Sequence, residues 1–427
     1  MSLLIKHEIN GLILGMNAFN LWNEKYARSV RWILLAGWIF LIVSLFFPGF
    51  AGFTEFLYPK VCVAFSFCEV GGGGANIFWN YALPFVLVAV LLSHELWRRI
   101  CPLSQVSQIA RYLGLQRTIV GKNGKKKLAA VEQNSWLANH HTELQWFLLI
   151  SGLSLRVLLI NSNRIGLAIV FITVIIAALI TGWAFSGKAW CQYICPFGTV
   201  QKVISGPGSI LASKAHLDSP TRVTQSMCRD SSPDPLKPDV STCVACTRSC
   251  IDIDSERSYW DSLTGKRGLN WAWYSYPGLV ISFFSLVFLT APQNFSNNIL
   301  DADYITSHVY TYDGRLPLIA WESWLPEGYP YFPRIIGVPL ILAASAIFSQ
   351  KVFRRLESFL NTKYSAQNDI QPRLKAIHHT RLIATFVAIN GYFLSKGAFI
   401  GDGSRAAAFS DVLVMAVLAF WIARNWR

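Results

Sequence analysis

Charge is what this sequence has least of. Only 15% of its 427 residues are Asp, Glu, Lys or Arg, where a soluble globular chain carries about 25%. Acidic side chains are the scarcer sort, 24 against 38 basic ones. No G-x-G-x-x-G turn, no G-x-S-x-G elbow and no phosphate-binding glycine loop occurs, so nothing supports a nucleotide-driven pump. What fills the space is apolar: 53% of the residues are hydrophobic and the mean hydropathy is +0.36. That balance excludes disorder, collagen, a small disulfide scaffold and a single water-soluble domain. Sixteen Trp, 28 Phe and 15 Tyr supply the aromatic load of interfacial belts.

Eight segments have the length and apolarity to cross a bilayer, which takes about 17–25 residues: 30–48, 78–97, 145–161, 166–184, 275–292, 335–350, 381–395 and 409–424. The first follows a polar head and lacks a small-residue cleavage site, and is read as a true span. A formal charge of +14 would raise nucleic acid in a soluble protein. Here the basic residues bunch in alternate loops instead. Arg98, Arg99, Arg111, Arg117, Lys122 and Lys125–Lys127 follow the second span; Lys188, Lys202, Lys214, Arg222, Arg248, Lys266 and Arg267 follow the fourth; Lys351, Arg354, Arg355, Lys363, Arg373 and Lys375 follow the sixth. Segment 293–334 is acidic by contrast, with Asp301, Asp303, Asp313, Glu322 and Glu327. The positive-inside rule then puts both termini in the cytoplasm and the chain in the cytoplasmic (inner) membrane, with lipid rather than nucleic acid as the partner of its basic loops.

Two spans end alike. Trp97-Arg98-Arg99-Ile100-Cys101-Pro102-Leu103 is followed by Val106 and Ile109; Cys191-Gln192-Tyr193-Ile194-Cys195-Pro196-Phe197 is followed by Val200 and Val203, at an offset of 94 residues. Proline suits the first turn of a helix, so each Pro is expected to open a cytoplasmic helix with one apolar face. Such a helix would lie on the membrane surface or pack on the following loop.

The nine Cys divide by side. Cys62 and Cys68 precede the Gly71–Gly74 run on the outer side, where a structural disulfide is the simplest reading. Cys101, Cys191, Cys195, Cys228, Cys243, Cys246 and Cys250 fall on the inner side, where a reducing compartment turns clustered Cys toward metal or redox work. Cys243-x2-Cys246-x3-Cys250 reproduces the last three positions of the run C-x2-C-x2-C-x3-C-P, and Cys191-x3-Cys195-Pro196 its last two with the Pro. Cys228 stands between them as a remote ligand. These six are the expected metal ligands, with Cys101 a further candidate. Four thiolates also make a structural zinc site, but only one C-x2-C knuckle is present. Seven inner Cys fall one short of two all-Cys cubes: by spacing, Trp97 stands where a second C-x3-C-P motif would begin, and Val240 and Ile251 replace the first Cys and the Pro of the ferredoxin run. One [4Fe-4S] cluster is expected; a second would need a non-Cys ligand such as His94 or His216.

Residues 187–202, GKAWCQYICPFGTVQK, together with CVACTRSCIDID at 243–254, resemble the membrane-bound polyferredoxins of the NapH/NosR type, and are similar to the CcoG/RdxA oxidase-assembly branch. The resemblance covers about 90–270. It implies [4Fe-4S] clusters on the cytoplasmic side and a role in quinol-linked electron transfer to exported reductases, in reductase maturation, or in metal reduction.

Other features have quieter readings. His140-His141, His378-His379 and His94 would serve a b-type haem or a quinone only if opposed on facing helices; all lie at expected interfaces, where solvating headgroups is simpler. Arg156 is either a buried charge within the third span or snorkels to its outer edge. The long aromatic loop 293–334 reads as a cap or a surface for a redox partner.

The expected architecture is an all-α polytopic membrane protein with about eight transmembrane helices and a small cytoplasmic ferredoxin-like insertion. Residues 1–184 form four spans, including the basic loop 98–144; 185–274 bind the cluster; 275–427 form four more spans. The expected activity is membrane-bound electron transfer between a quinol or cytoplasmic donor and a membrane or extracytoplasmic partner. The alternative is a transporter or an assembly factor whose Cys bind a structural or transient metal.

Overall fold

Proline, serine and the run of apolar residues decide where the helices of this chain start and stop. The computed structural model describes residues 24–46, 78, 82–120, 126–132, 134–160, 164–185, 188–210, 229–230, 240–241, 259–260, 262–263, 269–290, 334–367, 369–400 and 405–426. In chain order, α1 spans Glu24–Phe46, α2 Leu83–Leu92, α3 His94–Ile100, α4 Pro102–Val106 and α5 Ile109–Tyr112. A short hairpin follows, with β1 (Thr118–Val120) antiparallel to β2 (Lys126–Leu128) and Ile119 opposite Lys127. Then come α6 (Trp136–Leu155), a π-turn at Arg156–Ile160, α7 (Arg164–Ala184), a second π-turn at Trp190–Ile194, and α8 (Phe197–Ser205). β3 (Arg229–Asp230) pairs antiparallel with β4 (Val240–Ser241). The chain ends in α9 (Asn270–Thr290), α10 (Arg334–Ala366), α11 (Pro372–Ile400) and α12 (Arg405–Asn425).

The described chain is mostly helical, and each of the eight apolar segments falls on helix. Three helices are long and apolar enough to cross a membrane: Arg28–Phe46, Ile165–Ala184 and Ile335–Ala366. Leu83–Leu92 and Val412–Asn425 are shorter apolar helices. α9 opens with the aromatic run Asn270-Trp271-Ala272-Trp273-Tyr274-Ser275-Tyr276 and continues apolar from Leu279.

Contacts divide the chain into two compact units. One comprises Met1–Phe40, Asn80–Trp146 and Phe171–Arg267; the other comprises Leu41–Trp79, Phe147–Val170 and Gly268–Arg427.

In the first unit, Ser93 breaks the α2–α3 helix. Its backbone is extended (φ −159°, ψ 111°), and its hydroxyl accepts the Leu96 N–H at 3.3 Å, capping α3. Each Cys-Pro segment then reaches over to finish the helix that precedes the other. Gln116, buried beyond α5, donates from Nε2 to the Gly182 and Phe185 carbonyls, both at 3.1 Å, and the Arg117 N–H donates to Trp183. From the other side the Ile210 N–H donates to the Leu91 carbonyl at 3.1 Å, and the His94 N–H to Ser209 Oγ at 3.2 Å. The two arms thus cross, each bonding the end of the helix that precedes the other turn. The repeat in the sequence is a structural duplication. Its shared core holds Leu35, Val106, Ala178, Trp190 and Cys195, with Leu103, Cys191, Ile194 and Phe197 packed against it. α4 and α8 are thus buried in this unit, with Val106, Val200, Val203 and Ile204 inside. Gly206 closes α8 at φ 49°, a backbone that suits glycine.

In the second unit α9 packs on α10 and α11, which also pack on each other, and α12 packs on α11. Gly278 lets α9 approach α10 so closely that a Cβ there would meet the Ser345 carbonyl. At the same contact Ser349 Oγ donates to the Tyr274 carbonyl at 2.6 Å. Polar side chains tie the ends: Tyr274 donates its hydroxyl to Glu357 at 2.7 Å, and buried Arg381 donates to Asn270 Oδ1 while lying 4.0 Å over the Trp273 ring. Arg156 places its guanidinium 5.5 Å from the Phe283 ring centroid, which favours the buried-charge reading of this residue.

Gly182 is the tightest point of the first unit, since a Cβ there would fall on the Ser107 backbone carbonyl. Backbone on both sides leaves no flexible group to move aside. Gly182→Ala is expected to destabilise the protein by about 1–3 kcal/mol, read as a lowered thermal midpoint in detergent; an unchanged midpoint would disprove the close packing of these two segments.

Candidate functional site

The two Cys-Pro turns share one backbone. A residue before proline is pushed from helical to extended geometry, and Cys101 (φ −56°, ψ 118°) and Cys195 (φ −54°, ψ 117°) adopt nearly the same angles. Each ends one helix and starts the next. Pro102 opens α4, and Pro196 immediately precedes α8.

They differ by one residue. The Cys101 N–H bonds to the Trp97 carbonyl, four residues back, at 3.0 Å; the Cys195 N–H bonds to Trp190, five residues back, at 2.8 Å. The extra residue is taken up by the π-turn Trp190–Ile194. Trp97 therefore corresponds to Trp190, not to Cys191 as the spacing alone implied. Cys191 is the added residue, and a π-turn is a common device at functional sites.

The π-turn and the proline together orphan two carbonyls. Cys191 loses its usual donor because the Cys195 N–H is engaged at Trp190, and Gln192 loses its donor because Pro196 has no N–H. Gln145, fully buried on α6, supplies both: its Nε2 donates to Gln192 at 3.2 Å and, more weakly, to Cys191 at 3.4 Å. Gly198 makes room for this amide, since a Cβ there would lie 2.6 Å from Gln145 Nε2 and 3.2 Å from the Cys191 carbonyl. Around the turn lie two buried lysines, Lys188 and Lys202, the latter donating to Thr142 Oγ1 at 3.2 Å. His141 sets its ring edge-on to Tyr193 at 5.5 Å. Gln145 went unnoticed in the sequence, and Lys202 was read only as one of the basic loop residues; the available signal was a lone amide in an apolar segment and a lysine among the apolar residues of α8.

Cys195 is buried, while Cys191 and Cys101 are half-buried. Cys191 and Cys195 come together in one core cluster with the arm that follows Cys101, through Leu103 and Val106. Cys228, Cys243, Cys246 and Cys250 lie outside the described residues, as do Cys62, Cys68, His216, the Gly71–Gly74 run and nearly all of loop 293–334. Among the described residues no three His, Cys, Asp or Glu groups converge to hold a metal. Two cysteines on one rigid turn nonetheless fit half the ligand set of a four-thiolate cluster.

Residues 167–214 match a known family, the 4Fe-4S binding domain Fer4_5. The matched stretch runs through most of α7, the π-turn and α8. The match supports an iron–sulfur protein. No curated protein and no solved structure matches the chain.

The histidine pair on α11 has a different task from either expected one. His378 and His379 are buried, and each donates from Nε2 to a carbonyl at the end of α12: His378 to Asn425 at 2.8 Å, His379 to Trp426 at 2.7 Å. His379 Nδ1 must then be the acceptor, and it takes the Tyr364 hydroxyl at 2.6 Å, while its ring stacks on Trp426 at 4.0 Å. The pair caps a helix C-terminus. Both nitrogens of His379 are engaged, so it has none left for a haem iron. His140 is exposed and stacked on Trp136.

Two outcomes follow. Gln145→Leu removes the amide that donates to the Cys191 and Gln192 carbonyls, at about 1 kcal/mol per bond, and Gly198→Ala displaces the same amide; both should lower iron retained per purified chain and the thermal midpoint, and unaltered values in both would refute the role given to Gln145. Burial holds the His379 pKa below its ordinary value, against the opposing pull of its bond to the Trp426 carbonyl. The folded protein therefore binds this proton less readily than the unfolded chain, so stability is full above about pH 6.5 and falls as the pH drops below it. Thermal midpoints from pH 8 to pH 5 should show that loss, and His379→Gln should flatten it.

Proposed function

We propose that this chain is a membrane-bound iron–sulfur electron-transfer protein of the NapH/NosR type, passing electrons between a quinol or cytoplasmic donor and a membrane or extracytoplasmic partner. The observation that carries the reading is the 4Fe-4S binding domain over residues 167–214, which coincides with a membrane-length helix and the Cys191–Pro196 turn at its end. In this reading Cys191, Cys195, Cys228, Cys243, Cys246 and Cys250 are thiolate ligands of [4Fe-4S], with Cys101 available toward a second cluster. Such a cluster supplies one-electron chemistry when bound. The protein's own part is to fix two thiolates at the π-turn and to pack that turn into a buried core.

Eight spans, cytoplasmic termini, a cluster region at 185–274 and an inner-membrane location belong to the same proposal, resting on the alternation of basic loops. Loop 293–334 is the proposed surface for an extracytoplasmic redox partner.

The test is anaerobic purification in detergent, with iron, zinc and acid-labile sulfide assayed per chain and EPR spectra recorded after dithionite reduction. About four irons with matching sulfide and a reduced-cube signal are expected for one cluster, and about twice that for two. Stoichiometric zinc without sulfide would overturn electron transfer in favour of a transporter or assembly factor with a structural metal.

A further inference from the structure

Three buried N–H groups near the Cys-Pro turns meet no acceptor among the described residues: Trp97 Nε1, Trp190 Nε1 and Gln105 Nε2. Their side chains are 7%, 2% and 1% exposed, so bulk water is not the missing partner. The Gln105 amide cannot simply be turned over, because its Oε1 accepts the Arg31 Nε–H at 3.0 Å. A buried donor left without an acceptor costs about 1–3 kcal/mol, and phenylalanine would fill either tryptophan site without that cost. Tryptophan belongs in a core where its N–H has something to reach.

The two indoles hold corresponding places in the duplication. Each is the residue whose carbonyl receives the cysteine N–H of its own turn. Trp190 belongs to the same core cluster as Cys195, with Cys191 packed against it, and Trp97 lies edge-on to Phe197, ring centroids 6.0 Å apart, two residues beyond Cys195. Trp190 thus packs with the two cysteines of the second turn, and Trp97 reaches the same turn through Phe197. The acceptor that suits unpaired N–H groups packed against cysteines is a soft, negatively charged sulfur.

We infer that the indole N–H groups of Trp97 and Trp190 donate hydrogen bonds to the sulfur atoms of the iron–sulfur cluster held at Cys191 and Cys195, and thereby raise its reduction potential. The inference rests on the iron–sulfur reading. Reduction adds negative charge to the cluster, so each N–H···S bond strengthens in the reduced state, and losing one shifts the midpoint to more negative potential. Gln105 Nε2, on the arm after Cys101, is a third donor of the same kind.

Trp190→Phe and Trp97→Phe in the full-length protein keep an aromatic ring and remove the donor. Iron and sulfide per chain, followed by an EPR-monitored redox titration, read the result. The expected outcome is unchanged cluster content, with the equilibrium constant for reduction falling by up to about tenfold, or 59 mV for one electron, in at least one variant. Where a variant loses its cluster, the wild-type protein labelled with nitrogen-15 at the indole nitrogen answers the question: electron–nuclear double resonance on the reduced cluster should show an indole coupling. Retained clusters at the wild-type potential in both variants, or no indole coupling in the labelled protein, would overturn the inference while leaving the iron–sulfur reading intact. A wild-type protein without iron and sulfide would overturn both, and the metal assay tells the two failures apart.

Discussion

Backbone carbonyls at helix ends have no water to turn to inside an apolar chain, and this molecule is arranged around supplying them with donors. An α-helix leaves its last four C=O groups without intrahelical partners, and a buried one costs about 1–3 kcal/mol if left alone. Gln116 and Arg117 finish α7, Ile210 finishes α2, Gln145 serves the two carbonyls released at the second Cys-Pro turn, and His378 and His379 finish α12. Each donor comes from a segment remote in sequence. The caps therefore tie together the segments of each unit as well as completing the helices.

The first unit shows how this constraint shapes a site. Proline after each cysteine forces the chain out of the helix and removes a donor at the same time. In the second turn the consequence is absorbed by a π-turn, a buried glutamine and a glycine that admits it. The result is a cysteine pair on a backbone with little freedom. Side chains held in that way have little conformational freedom left to lose on binding a ligand.

Much of this was legible in the residues. Apolar runs of membrane length marked the helices, the Ile-Cys-Pro repeat marked the duplication, and Cys-x3-Cys-Pro marked the chemistry that the matching 4Fe-4S domain supports. The register of the duplication was not legible, because counting residues from the proline assumes four per hydrogen bond, and a π-turn takes five. Spacing thus set Trp97 against Cys191 where the hydrogen bonds set it against Trp190. The histidine pair was misread for a related reason. Sequence placed His378 and His379 at the edge of a span, but only the three-dimensional path of α12 brings the Asn425 and Trp426 carbonyls to them. Gln145 and Gly198 escaped notice because their partner is backbone, which has no signature in sequence.

The one-residue difference between the two turns bears on how such a chain changes over generations. Trp97 and Trp190 sit at matching points, the cysteine–proline pairs match, and the surplus residue in the second copy is a cysteine. A single codon gained or lost within a π-turn adds or deletes a sulfur while the helix on either side keeps its place. Two copies of one scaffold can then drift apart in metal-binding capacity by the smallest possible insertion, with neither copy having to refold.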